Sequence, residues 1–258
     1  MTSPNDPTVL PPSPPPPSEL PKAEGAALGA LLGLGEGARD HLTILSGTAQ
    51  NVVGLAVFVL ASFGMNIVIA RAFGDEGRRV LGLVTLATQL AFVAAGATRF
   101  GMDMAAVRRV AIEVGKGGSG RSRAVVRLAV TISAIVSLAV AVVAFLLAAP
   151  IAGVLNAPTA ALRAAAVALP FVAVAQVILG GSRGLKIMRD TLVAYWVGQP
   201  ISWIVFSLIA WTFSKTVTAT VVTYGLSWLF ATVVAWFLWH RDTRRFDHRP
   251  AEPGEVRA

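Results

Sequence analysis

The chain has 258 residues, 55% hydrophobic and only 14% charged, where soluble domains carry roughly 25% charged residues; its mean hydropathy is +0.67. Six long apolar runs leave too little polar surface to cover a water-soluble globule, so the expected fold class is all-α and integral to a membrane. Cysteine is absent and the three histidines (His41, His240, His248) lie outside the runs at no ligand spacing, which argues against a disulfide framework, a thiol nucleophile, a metal site or any other cofactor.

Residues 1–24, MTSPNDPTVLPPSPPPPSELPKAE, are Pro-rich. Proline removes backbone donors and stiffens the chain toward polyproline II, which predicts a disordered tail. A signal peptide would need a basic segment followed by an apolar one. The next run, GAALGALLGLGEGARDHLTIL, is too short to span and is expected to lie at the interface. Residues 1–46 are therefore read as a cytoplasmic tail and interfacial segment.

Asn51–Ala70 is the first run that reaches the roughly 20 apolar residues needed to cross a bilayer. Val80–Ala97, Leu128–Ala148, Ala161–Gly180, Leu192–Phe213 and Val217–Trp239 follow, and Arg163 is the sole charge among the six. Together they predict a bundle of six transmembrane helices over residues 47–240, followed by a basic polar tail, 241–258. The connection Thr98–Arg127 contains MDMAAVRRVAIEVG, a helix former without a single charged face, and is expected to cover the inner ends of the bundle. GKGGSG then reads as a hinge, since it lacks the spacing of a phosphate loop.

Arg71, Arg78, Arg79, Arg163 and Lys215 fall on one side of this arrangement, and the rest of the 22 Lys and Arg on the other. The richer side is cytoplasmic by the positive-inside rule. Both termini are then cytoplasmic, the protein is a multi-pass protein of the cytoplasmic (inner) membrane, and the +8 charge reflects topology and anionic headgroups rather than nucleic acid. Trp196, Trp211 and Trp239 fall near run ends, where an indole suits the interface.

No acidic residue lies within the six runs, where an ion-coupled antiporter usually keeps a carboxylate. No paired carboxylates or nucleophile–base arrangement indicates an enzyme. The neutral polar residues Asn66, Gln89, Gln176 and Gln199 leave two readings open. They hydrogen-bond between helices, or they line a polar cavity. Pro170 and Pro200 each remove a backbone hydrogen bond and permit a kink. Gly180 and Gly184 have the spacing of close helix packing.

Ala70-Arg71-Ala72-Phe73-Gly74 ends the first run. GATRFGMDMAAVRRVA, Gly96–Ala111, leaves the second, and GGSRGLKIMRDTLVAYWVGQP, Gly180–Pro200, links the fourth to the fifth. In order and spacing these resemble the N-terminal six-helix lobe of the oligosaccharide flippases in the multidrug/oligosaccharidyl-lipid/polysaccharide exporter superfamily. The resemblance covers about Gly47 to Arg245. It implies a flippase that moves lipid-linked oligosaccharide across the membrane by alternating access during polysaccharide biosynthesis for the cell envelope. Its partners would be membrane lipids and that substrate.

By the same resemblance Arg71 is a candidate anion-facing or gate residue, with an arginine snorkelling to the outer interface as the other reading, and Asn66, Gln89, Gln176 and Gln199 are candidate sugar contacts. Where the lipid II branch carries an Arg-Asp pair, this chain has Met65-Asn66, so a polysaccharide or O-antigen-type repeat unit is the expected cargo. The family has two lobes of about six spans, so the chain is expected to form half of a two-lobe transporter, completed by a homodimer or by a separate second lobe. An exporter of drugs or lipids from the same superfamily, and a non-transporting scaffold or truncated lobe, are the alternatives.

Overall fold

The computed structural model describes residues 36–115 and 120–246, with side chains over 48–114 and 121–244. The Pro-rich segment 1–24, the start of the interfacial segment, most of the Gly-rich turn at 115–120 and residues 247–258 of the basic tail lie outside the described residues. The fold is all-helical, with no strand among the described residues. Helix α1 is Glu36–Ala72, and a 3₁₀ turn, Gly74–Glu76, leads into α2, Gly77–Thr98. The short α3, Met102–Gly115, precedes α4, Gly120–Leu155, and α5, Thr159–Gly184. Helix α6, Arg189–Trp211, and α7, Val217–Phe246, complete the bundle. Six of these helices are long and apolar enough to cross a membrane: all but α3.

Helix α5 is the axis of the bundle. It packs against α7, α4, α3 and α2, and most of its apolar length is buried. Small side chains allow this, because lipid gives helices little hydrophobic reason to associate and close backbone approach must supply the contact. Ala129, Ser133, Ser137, Ala141 and Ala148 form the buried stripe of α4, and α5 buries Ala161, Ala165, Ala168, Ala173 and Ala175. Gly180 and Gly184 lie where α3 crosses α5. A Cβ on Gly180 would stand 2.6 Å from the Asp103 carbonyl oxygen, and one on Gly184 would stand 2.7 Å from Val110 Cβ.

The connections follow helix-end chemistry. Lys186 takes a left-handed conformation (φ 61) while the Ile187 amide donates to the Ser182 carbonyl at 3.0 Å, a Schellman ending that stops α5. Asn156 (φ 48) ends α4 in the same way, with Ala157 N–H on the Ala152 carbonyl at 3.1 Å, and Pro158 then opens the path to α5. Within α6, Leu192–Gly198 is π-helical. In a regular helix the Pro200 ring would crowd the Trp196 carbonyl, and the wider π turn removes that clash. Gly198 fits the same device, since a Cβ there would lie 2.5 Å from the Val193 carbonyl oxygen.

Three expectations need correction. The helices outrun their apolar stretches. At about 1.5 Å per residue, the 37-residue α1 is about 55 Å long, against a hydrocarbon core of about 30 Å, and it runs unbroken from residues 36–46 of the segment expected at the interface into the first apolar run. Trp211 and Trp239 are buried inside the bundle rather than turned to an interface; Trp211 Nε1 donates to Thr220 Oγ1 at 3.0 Å. Because α6 and α7 extend beyond the apolar runs, Asp190 and Asp242 belong to spanning helices and are buried between them.

Candidate transport face and polar interior

Most of the bundle's outward surface is apolar. Helix α4 exposes Leu128, Ile135, Leu138, Val142, Val143 and Leu146. Thr131, polar and exposed, satisfies itself by donating to its own Arg127 carbonyl at 2.9 Å. Helix α6 exposes Ile201, Val205, Leu208 and Ile209, and α7 exposes Val222, Leu226, Val233 and Phe237.

Helix α2 is different. Arg78, Gly82, Thr85 and Gln89 are all exposed and recur at helical spacing on one side. With Leu81 and Leu86 they line a shallow open groove on α2 alone, and Leu90 and Val93 are exposed on the same helix. A Cβ on Gly82 would meet nothing within 4 Å. The opposite side of α2, Val80, Val84, Ala87, Ala91 and Ala95, is buried. On neighbouring α1, Met65 and Ile69 are buried while Asn66 is exposed. Arg71 is exposed in the last turn of α1, followed by exposed Asp75, Glu76, Arg78 and Arg79. Arg163, on the same side in the topology, lies over the Phe145 ring at 5.1 Å.

The structure thus places Arg71, Asn66 and Gln89 on uncovered sides of adjacent helices and separates them from the other two candidates. Gln199 is 4% exposed, and its Nε2 donates to Ser227 Oγ of α7 at 3.1 Å. Gln176, 9% exposed, meets the Tyr195 hydroxyl. Both hold helices together inside the bundle, with Ser207 and Thr223 paired at 2.7 Å and Trp203 Nε1 donating to the Thr220 carbonyl at 3.1 Å. Tyr195 also anchors an aromatic chain. Its ring lies 5.6 Å from Phe58, 4.6 Å from Trp196 and 5.7 Å from Trp228, which seats α1 on α6 through Gly54. Of the prolines, Pro170 lies within α5 and Pro200 follows the π turn.

Sequence reasoning missed Thr85, Arg78 and Gly82. It also missed the charges at the α3 end. Arg99 Nη1 bonds Asp103 at 3.3 Å. Arg189 and Arg241 bond Asp242 at 3.2 and 2.9 Å. No group of three metal-ligating His, Asp or Glu occurs among the described residues.

No curated protein and no solved structure matches this chain. Residues 44–250, which take in all six candidate spans from Thr48 to Arg244, match the family described as polysaccharide biosynthesis protein. The chain is therefore a multi-pass membrane protein that belongs to the polysaccharide biosynthesis protein family.

Proposed function

We propose that this chain forms one lobe of a flippase that carries lipid-linked oligosaccharide across the cytoplasmic membrane by alternating access. The observation that carries the reading is the uncovered polar side of α2. Polar side chains facing lipid are costly and are found where a helix meets water or protein, and Arg78, Thr85 and Gln89 have no such cover within the lobe. In this reading the groove faces a second lobe, a second copy of the chain or a separate one. Asn66, Thr85 and Gln89 offer hydroxyl and amide groups to sugars, and Arg71 and Arg78 offer guanidinium groups to an anion. Gln176 and Gln199 pack the helices. The lipid tail stays beside the apolar outer helices.

The basic bias of the loops supports an orientation with α3 and both termini in the cytoplasm. Because the protein has no cysteine, Lys215→Cys gives a single thiol, which a membrane-impermeant reagent should label from outside intact cells. Labelling only after lysis would reverse the orientation.

Transport is tested by reconstituting the full chain into vesicles with a fluorescent lipid-linked oligosaccharide and measuring its appearance in the opposite leaflet. Wild type should translocate it. Gly82→Trp, which fills the groove without touching buried packing, should lose most of the rate while keeping its thermal stability. Wild-type rates from both Gly82→Trp and Gln89→Leu would defeat the assignment of this face.

A further inference from the structure

Where α1 ends and α2 begins, Arg71, Asp75, Glu76, Arg78 and Arg79 are all exposed. None of them forms an ion pair or a side-chain hydrogen bond among the described residues. The segment is nonetheless firmly built. Gly74 takes the left-handed conformation (φ 55), and the Glu76 amide donates to the Phe73 carbonyl at 3.2 Å. Gly77 lies against the Ala70 backbone, where a Cβ would not fit. The Phe73 ring meets the Trp211 ring edge-on at 5.5 Å, which ties the turn to α6. The charges are thus presented on a fixed rim.

Beyond this rim the uncovered side of α2 stays polar as far as Gln89, about 18 Å along the helix from Gly77 at 1.5 Å per residue. That is near the centre of a hydrocarbon core of about 30 Å, where an amide left against lipid is costly. The rim indicates what covers it. A surface made for a partner of one sign carries the opposite sign alone, whereas this rim carries both. Two copies that cross the membrane the same way, related by a two-fold axis along the membrane normal, keep each residue at one depth. The acids of one copy then stand level with the arginines of the other, and reciprocally.

We propose that the uncovered side of α2 faces the same side of a second copy of this chain, with Asp75 and Glu76 of each copy paired to Arg78 and Arg79 of the other. Exposed ion pairs contribute little affinity and act mainly through orientation and choice of partner. Here they set two α2 helices side by side and parallel, so that the polar sides shield each other from lipid. At Gly82 a Cβ would meet nothing within 4 Å, and the bare backbone lets a neighbouring helix come near. That the two polar sides enclose one substrate space rests on the transport reading; the pairing itself does not.

Two differently tagged forms of the full chain, coexpressed and extracted into native-like lipid nanodiscs, test the pairing. Capture through one tag should bring the other. Asp75→Arg with Glu76→Arg makes the rim wholly basic, and Arg78→Glu with Arg79→Glu makes it acidic apart from Arg71. All four positions are exposed, so melting temperatures should not change. Each variant should capture its own kind severalfold less than wild type does, and the two variants together should recover wild-type capture. No capture between wild-type copies, or a different membrane protein held in their place, overturns the proposal. So does self-capture of both variants at the wild-type level, or a mixed pair that stays as low as either variant alone. Paired wild-type copies that translocate nothing would sink the transport reading and leave the pair standing; translocation by particles holding one copy would do the reverse.

Discussion

Helices α2 and α4 both pack on α5, and both bury small residues against it. Their outward sides differ. Helix α4 presents leucine, isoleucine, valine and phenylalanine, and its exposed threonine bonds its own backbone. Helix α2 also exposes Leu90 and Val93, but beside them it presents an arginine, a threonine and a glutamine around a shallow open groove. Since both helices pack small residues on α5, their unequal outer faces are not needed to hold the bundle together. In the proposed reading the difference concerns what each helix meets outside: lipid for α4, and a polar medium or a second lobe for α2.

The largest expected effect breaks the comparison directly. Leu138→Arg puts a charge in the middle of the α4 outer face and should cost about 2.5–3.5 kcal/mol, whereas Thr85→Arg on α2 should cost much less. Yield and thermal stability in mild detergent measure both, and equal losses would erase the distinction. The buried sides should respond alike. Gly184→Val drives a side chain into Val110 and the Val107 carbonyl and should destabilise by about 1–3 kcal/mol as overpacking does. An unchanged melting temperature would mean that α3 is not held against α5 as described.

Smaller effects separate packing glutamines from face glutamines. Gln199→Leu removes the bond to Ser227 and should cost about 0.6–1.7 kcal/mol, while Gln89→Leu should leave stability unchanged and lower translocation. The reverse pattern would exchange their roles. The smallest stability effect is expected for Arg71→Ala, an exposed helix-end residue whose loss should stay within about 0.5 kcal/mol. Polymer export should nonetheless fall at normal protein level, and wild-type export would remove Arg71 from the proposed face.

Much of the candidate face was legible in the sequence. Asn66 and Gln89 stand out because amides are conspicuous among apolar neighbours, and Arg71 stands out at a helix end. Gln176 and Gln199 stand out for the same reason, yet their surroundings are opposite. An amide in an apolar run has the same local sequence signature whether it bonds a serine on another helix or is left uncovered. Thr85 and Gly82 escaped notice because a threonine and a glycine are ordinary in a spanning helix. They gain meaning only beside an open groove.

The sequence by itself determined six crossings, the all-helical class, the close-packed glycines and the family, because length, hydropathy and motif spacing are properties of contiguous residues. Only the tertiary structure decided which side of each helix is covered, that α5 is the axis, that Pro200 is met by a π turn, and that Asp190 and Asp242 lie buried. Helix ends extend past their apolar runs when neighbouring helices bury and satisfy them, and those neighbours come from far along the chain. The Arg189–Asp242 contact joins residues 53 positions apart, and no local pattern carries that information.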